Sequence, residues 1–204
     1  MGSSDIPLIK QPIINTTNWK TGDILTINYT HFMGKFIRFW SSSDISHPGI
    51  VYKDQNNNIF IIEAAYYDKE WKQVMKIPIS KWLEYNKNHN IFYSKYDGPK
   101  ITHSQITDLL EKFKDIKLER FNPGWARFLK KTDYISENER KFAVCYEITI
   151  QMLQHLNIMQ KKYTSSSYWP SDIAYGRLDL NTNCKYSSPV QLQSKLVISK
   201  DIMK

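Results

Sequence analysis

Only two cysteines, Cys145 and Cys184, occur in 204 residues, and they stand far apart. That excludes a disulfide framework and leaves no Cys-x-x-Cys pair for a zinc ribbon. The five histidines show no metal-ligand spacing, so no metal and no organic cofactor are expected. Glycine is scarce, at seven residues, and the chain has neither a Gly-rich phosphate cradle nor a Gly-x-Ser-x-Gly elbow. No apolar run approaches the ~20 residues that a membrane helix needs. Residues 1–20 lack the apolar core of a secretion signal, and Ile6 stands where a myristoylation motif wants Ser or Thr. An intracellular, reducing compartment is the expectation.

Arginine is also rare. The 28 basic residues comprise 23 lysines and five arginines, beside 25 isoleucines and 14 asparagines, which is the usage of an AT-rich genome. The formal charge of +8 is spread along the chain without a dense block or a basic helix. Such scatter describes a solvated surface, so dedicated nucleic-acid binding is not expected, while peripheral contact with an acidic membrane stays open. An apolar content of 41% over this length suffices for one buried core. Residues 1–20 read as a polar lead-in and residues 21–204 as a single domain.

Pattern supplies the elements. Thr21-Gly22-Asp23 is a turn before an alternating strand at residues 24–27. Residues 49–53 and 59–65 are strand candidates separated by Asp54-Gln55-Asn56-Asn57-Asn58, and they read as a hairpin. Further strands are expected at 74–79 and 91–94, with a short helix from Ser80 between them and a helical turn within 31–39. Thr102 and Gln105 form a capping box for a helix whose buried stripe is Ile106, Leu109, Leu110 and Phe113. Residues 120–141 read as a surface excursion. A second helix runs from about Cys145 to Met159, with Val144, Ile148, Met152, Leu156 and Met159 on its apolar face. A polar loop follows at residues 164–167. Cys184 reads as a plain surface thiol, and Trp82, Trp125 and Trp169 as packing residues.

His47 stands at the mouth of a strand, in Ser46-His47-Pro48-Gly49-Ile50-Val51, and Cys145 stands where a helix starts. A thiol is nucleophilic as thiolate, and both a helix N-terminus and a neighbouring imidazole favour that form. Pro48 restricts His47 to extended backbone. If Lys53 pairs with Ile59 across the turn, His47 faces Ala65, and Glu63 becomes its diagonal neighbour on the same face. A slip of one residue would turn Glu63 to the other face. A carboxylate inside the apolar run Ile59-Phe60-Ile61-Ile62-Glu63-Ala64 needs a partner, and an imidazole N–H supplies one. Each residue alone has an ordinary reading: His47 as a surface or capping residue, Cys145 as a small core residue, Glu63 as a strand cap or lysine partner. Their conjunction points to Cys145 as nucleophile, His47 as base and Glu63 as the orienting carboxylate.

Three segments resemble the circularly permuted papain-fold cysteine hydrolases of NlpC type, in particular the YiiX-like branch with its poxvirus and giant-virus members. They are Gly22-Asp23-Ile24-Leu25, then Ser46-His47-Pro48-Gly49-Ile50-Val51 with Ile61-Ile62-Glu63-Ala64, and Phe142-Ala143-Val144-Cys145-Tyr146-Glu147 with Pro170-Ser171-Asp172. The resemblance implies an α+β, permuted papain-like fold with an antiparallel sheet packed against the helix that carries Cys145. It implies a cysteine peptidase or amidase with catalytic Cys145, His47 and Glu63, acting on a peptide, acylated or lipid-like substrate. Ser43, Asp44, Ser46, Tyr146, Trp169, Pro170 and Ser171 are the expected rim of its groove. Acyl transfer or lipid deacylation by the same triad, and a non-catalytic binding module on the same fold, are the alternatives. A viral source would place the protein in host cytoplasm or virion.

Overall fold

Isoleucine-rich apolar runs build the centre of the molecule. The computed structural model describes residues 16–28, 47–64, 74–118, 142–143, 145–168, 172–173 and 176–192. Its main sheet has six strands in the order β10-β5-β1-β2-β3-β4. These are β1 (Ile24–Asn28), β2 (His47–Lys53), β3 (Ile59–Ala64), β4 (Val74–Pro78), β5 (Asn90–Ser94) and β10 (Val190–Leu192). Every neighbouring pair in this sheet is antiparallel. Two small pairs complete the β-structure: β6 (Tyr96–Asp97) with β9 (Lys185–Tyr186), and β7 (Lys117–Leu118) in parallel with β8 (Phe142–Ala143). Three α-helices occur among the described residues: α1 (Ile79–Tyr85), α2 (His103–Phe113) and α3 (Cys145–His155). The fold is α+β.

Alternation divides the sheet between two cores. Ile24, Ile50, Tyr52, Ile62 and Ala64 point to one side and join Ile106, Leu109 and Phe113 of α2 and Ile148, Met152 and Leu153 of α3. Leu25, Ile27, Val51, Ile61 and Ile77 point to the other side and join Trp19 together with Trp82 and Leu83 of α1. Burial on both faces is why these strands read as nearly continuous apolar runs. The β2–β3 turn fixes their register. Asp54 Oδ1 accepts from the backbone N–H of Asn56 and Asn58 at 2.9 and 2.7 Å, and Asn57 takes the left-handed conformation at φ 65°. Lys53 consequently pairs with Ile59 and Ile50 with Ile62.

The start of the domain hangs on Asp23, which is fully buried. Its carboxylate accepts from the Lys20 N–H, the Tyr93 hydroxyl and the Tyr96 N–H at 2.8, 2.7 and 2.8 Å. Gly22 precedes it at φ 100°, where a Cβ would meet Tyr96 and Ile101 side-chain carbons at 2.7 Å. The capping box of α2 is present: Thr102 Oγ1 accepts from the Gln105 N–H at 3.2 Å, and Gln105 Oε1 from the Thr102 N–H at 2.8 Å. Such a cap contributes about 1 kcal/mol.

Five sequence expectations change. Trp19 is no part of a polar lead-in, because it stacks on Tyr93 at 5.2 Å and is buried in the second core. Cys184 is a core thiol, 4% exposed, with Sγ 3.4 Å from the Tyr96 hydroxyl. Helix α3 is buried on all sides from Tyr146 to Gln154 rather than along one stripe. Its polar residues hold the following segment, Gln151 through Ser165 Oγ and Gln154 through the carbonyls of Gln160 and Tyr163. The helix stops at His155, four residues early, where the chain turns through Asn157 at φ 56°. Residues 164–167 carry a short 3-10 turn, Ser165–Ser167. The expectations for residues 31–39 and 120–141, and for Trp125 and Trp169, fall outside the described residues. Among the described residues no helix is long and apolar enough to cross a membrane.

Burial raises the pKa of Tyr93, Tyr96, Tyr168 and Tyr186, helped by Asp23 at Tyr93, Cys184 at Tyr96, Asp179 at Tyr168 and Tyr96 at Tyr186. A phenol whose folded pKa lies above its unfolded value near 10 stabilises the fold fully below that pH. The stabilisation is then lost as pH rises through the folded value. We expect at least these four of the 13 tyrosines to ionise together with alkaline unfolding. Absorbance at 295 nm and circular dichroism, followed in one titration, check this. Complete ionisation of all tyrosines in a still-folded protein would contradict it.

Candidate active site

Register brings the first two candidate residues together. Glu63 lies opposite Gly49 in the β2–β3 ladder, so His47, two residues earlier on the same face, is its diagonal neighbour. The His47 Nε2 to Glu63 Oε2 distance is 2.8 Å, and the two residues are 3% and 0% exposed. A charge-assisted bond of this length in a dry setting resists disruption, because loss of either partner leaves the other buried. The ring thus meets the carboxylate through Nε2.

Gly49 is what lets the pair form. A Cβ there would lie 2.6 Å from Ile61 Cγ2, 3.3 Å from Glu63 Oε2 and 3.4 Å from Glu63 Cβ. The missing side chain leaves the space across which the Glu63 carboxylate reaches His47. The sequence offered a hint, since glycine inside a strand often marks close approach, but only the register shows what approaches.

Cys145 is the first residue of α3 and is partly exposed, whereas Cys184 is buried. Its carbonyl accepts from Thr149 Oγ1 at 3.2 Å. Helix α3 packs on β2 and β3 through the first core, on the face of Ile50, Tyr52, Ile62 and Ala64. Strand alternation puts His47, Gly49 and Glu63 on the face of Val51 and Ile61, which belongs to the second core. Among the described residues no hydrogen bond links the Cys145 thiol to His47 or Glu63. The structure thus joins His47 to Glu63 and places Cys145 at the end of a helix stacked on the same two strands.

Tyr146, expected at the rim, is 6% exposed and packs in the first core; a residue that follows the first position of a helix buried on all sides has no solvent to face. Ser43, Asp44, Ser46, Trp169, Pro170 and Ser171 lie outside the described residues. No group of three or more His, Cys, Asp or Glu able to hold a metal ion occurs among the described residues.

No family model matches this chain. No curated protein matches it either. Among solved structures it is similar to the metalloprotein yiiX from Escherichia coli O157:H7, at 15% sequence identity and a TM-score of 0.45, over 85% of this chain and 96% of that one.

Two measurements check the pair and its spacing. In a double-mutant cycle of urea unfolding, His47→Ala and Glu63→Ala should couple by about 1–3 kcal/mol; a coupling near zero would remove the pair as a structural unit. Gly49→Ala should destabilise by about 1–3 kcal/mol through overpacking, and Ile61→Leu in the same chain, which removes the γ2 methyl that the new Cβ would meet, should recover part of that loss. No recovery would mean that the glycine serves another purpose.

Proposed function

We propose that the protein is a cysteine hydrolase of permuted papain-like, NlpC-type fold, YiiX-like in its motifs, cleaving an amide or ester bond of a peptide, acylated or lipid-like substrate. The observation that carries this reading is the buried His47–Glu63 bond at the mouth of β2. A carboxylate holding one ring nitrogen fixes the tautomer and stabilises the imidazolium that forms during turnover. Cys145 adds the second support: it is the more exposed of the two thiols and opens a helix.

In this reaction His47 Nδ1 removes the Cys145 proton and the thiolate attacks the substrate carbonyl. The oxyanion takes a hydrogen bond from the Cys145 backbone N–H at the helix start. Collapse of the tetrahedral intermediate expels an amine or alcohol, protonated by His47, and leaves a thioester on Cys145. Water, deprotonated by His47, then hydrolyses the thioester. No metal or cofactor enters these steps. His47 begins β2 and Cys145 begins α3, and at element ends the reach of a side chain is not confined to one face of the sheet. For this step the thiol has to meet the ring around the end of β2. An acyl acceptor in place of water would make the same site a transferase or lipid deacylase.

A second reading, a non-catalytic binding module on this fold, is favoured by the different sheet faces of His47 and α3. Thiol chemistry separates the two. Peptidyl and acyl electrophiles should add to Cys145 at least about tenfold faster than to Cys184, as intact mass with peptide mapping would show. His47→Ala should abolish that advantage, and Glu63→Gln should reduce it by a smaller factor. Cys145 reacting equally fast in the parent and in His47→Ala would leave the binding module as the better account.

A further inference from the structure

We propose that the cavity between the β2–β3 turn and the start of α2 binds the phosphate group of a small organic phosphate. Its volume is about 530 Å³, and Lys20, Lys53, Lys100, His103, Thr21 and Thr102 line it. His47 and Lys53 are the two ends of β2, which at ~3.3 Å per residue puts this cavity roughly 20 Å from His47. It is therefore separate from the proposed hydrolase site, and it stands whether or not that reading holds.

Charge is the first argument. Three lysines face the cavity and none of them forms a salt bridge among the described residues. Lys53 Nζ reaches only the Thr17 carbonyl, at 3.4 Å, and Lys20 Nζ lies 5.3 Å from the centre of the Tyr96 ring. Asp54 is the one carboxylate on the lining among the described residues. It is occupied within its own turn, accepting from the Asn58 amide group at 2.9 Å and from the backbone of Asn56 and Asn58. Two net positive charges remain, a deficit that a phosphate dianion matches.

A polar wall is the second argument. His103 Nδ1 is hydrogen-bonded to the Tyr52 hydroxyl. Burial, then the charge of Asp54, raises the pKa of that hydroxyl, so it stays protonated at neutral pH. That bond holds the His103 ring in place at the cavity wall. Thr21 and Thr102 lie on the same wall, their hydroxyls donating to the Lys53 carbonyl and to Gln105 Oε1 at 3.3 and 3.0 Å. The N-terminus of α2 adds partial positive charge, but the lysine excess is the reason to place a phosphate here.

Size is the third. The volume falls within the 300–1,000 Å³ typical of small-molecule sites and exceeds what bare phosphate fills, while Ile101, Pro99 and Tyr96 offer apolar wall to an organic body. The phosphate could belong to a free phosphomonoester or to a lipid headgroup, and two probes distinguish them. Glycerol 3-phosphate is titrated calorimetrically, and vesicles of phosphatidylcholine with or without phosphatidic acid are co-sedimented with the protein. Each is repeated with K20Q/K100Q and, as an equal-charge control, with K87Q/K161Q, whose lysines are exposed elsewhere. Binding of glycerol 3-phosphate weakened at least tenfold by K20Q/K100Q and less than twofold by the control establishes a soluble-phosphate site. Binding confined to phosphatidic acid vesicles, with the same dependence, establishes a headgroup site. Equal weakening by both double variants, or no binding of either probe, overturns the proposal.

Discussion

A carboxylate and an imidazole buried side by side in an isoleucine-rich sheet constrain much of what surrounds them. Removing two ionisable groups from water costs several kcal/mol each, and their mutual bond offsets this only when geometry is good. The 2.8 Å contact of His47 with Glu63 requires one register of the β2–β3 hairpin, glycine at position 49, and strands covered on both faces. The Asp54–Asn58 turn supplies the register, Gly49 supplies the space, and the two cores supply the cover. A fold assembled only for stability would gain by filling this position with apolar residues. Retention of the pair is a reason to look for chemistry there.

Asp23 solves a related problem by different means. It too is fully buried, but three donors from Lys20, Tyr93 and Tyr96 surround its carboxylate. Its bonds tie the entry of β1 to β5 and β6, so that β1 runs centrally beside β2. One buried carboxylate is spent on architecture and the other faces a base. That contrast separates the Gly22-Asp23-Ile24-Leu25 segment, which shapes the sheet, from the segments of His47 and Glu63, whose buried pair the proposed reaction uses.

Local chemistry made the hairpin register, the capping box of α2 and the His47–Glu63 pairing legible in the sequence, because each is decided within about 20 residues of chain. Features decided by distant packing were not. Nothing near Cys184 announces that Tyr96 will cover it, and nothing near Trp19 announces Tyr93. The Ile148, Met152 and Leu156 periodicity suggests a half-exposed helix, yet Gln151 and Gln154 are also buried because the 160–167 segment brings carbonyl and hydroxyl partners to them. Polar residues signal solvent until a later stretch of chain supplies their hydrogen bonds. The sheet face on which α3 packs relative to His47 belongs to the same class, since periodicity is silent on which face a helix chooses.

That face is where the account is most exposed to test. A crystal structure of the protein with Cys145 trapped as a stable adduct of a carbonyl-mimicking electrophile measures the decisive distance. The account predicts Cys145 Sγ within about 4 Å of His47 Nδ1, allowing for the loose geometry of such sites, with Glu63 still on Nε2. A separation beyond about 8 Å, far outside the reach of direct proton transfer, would contradict it.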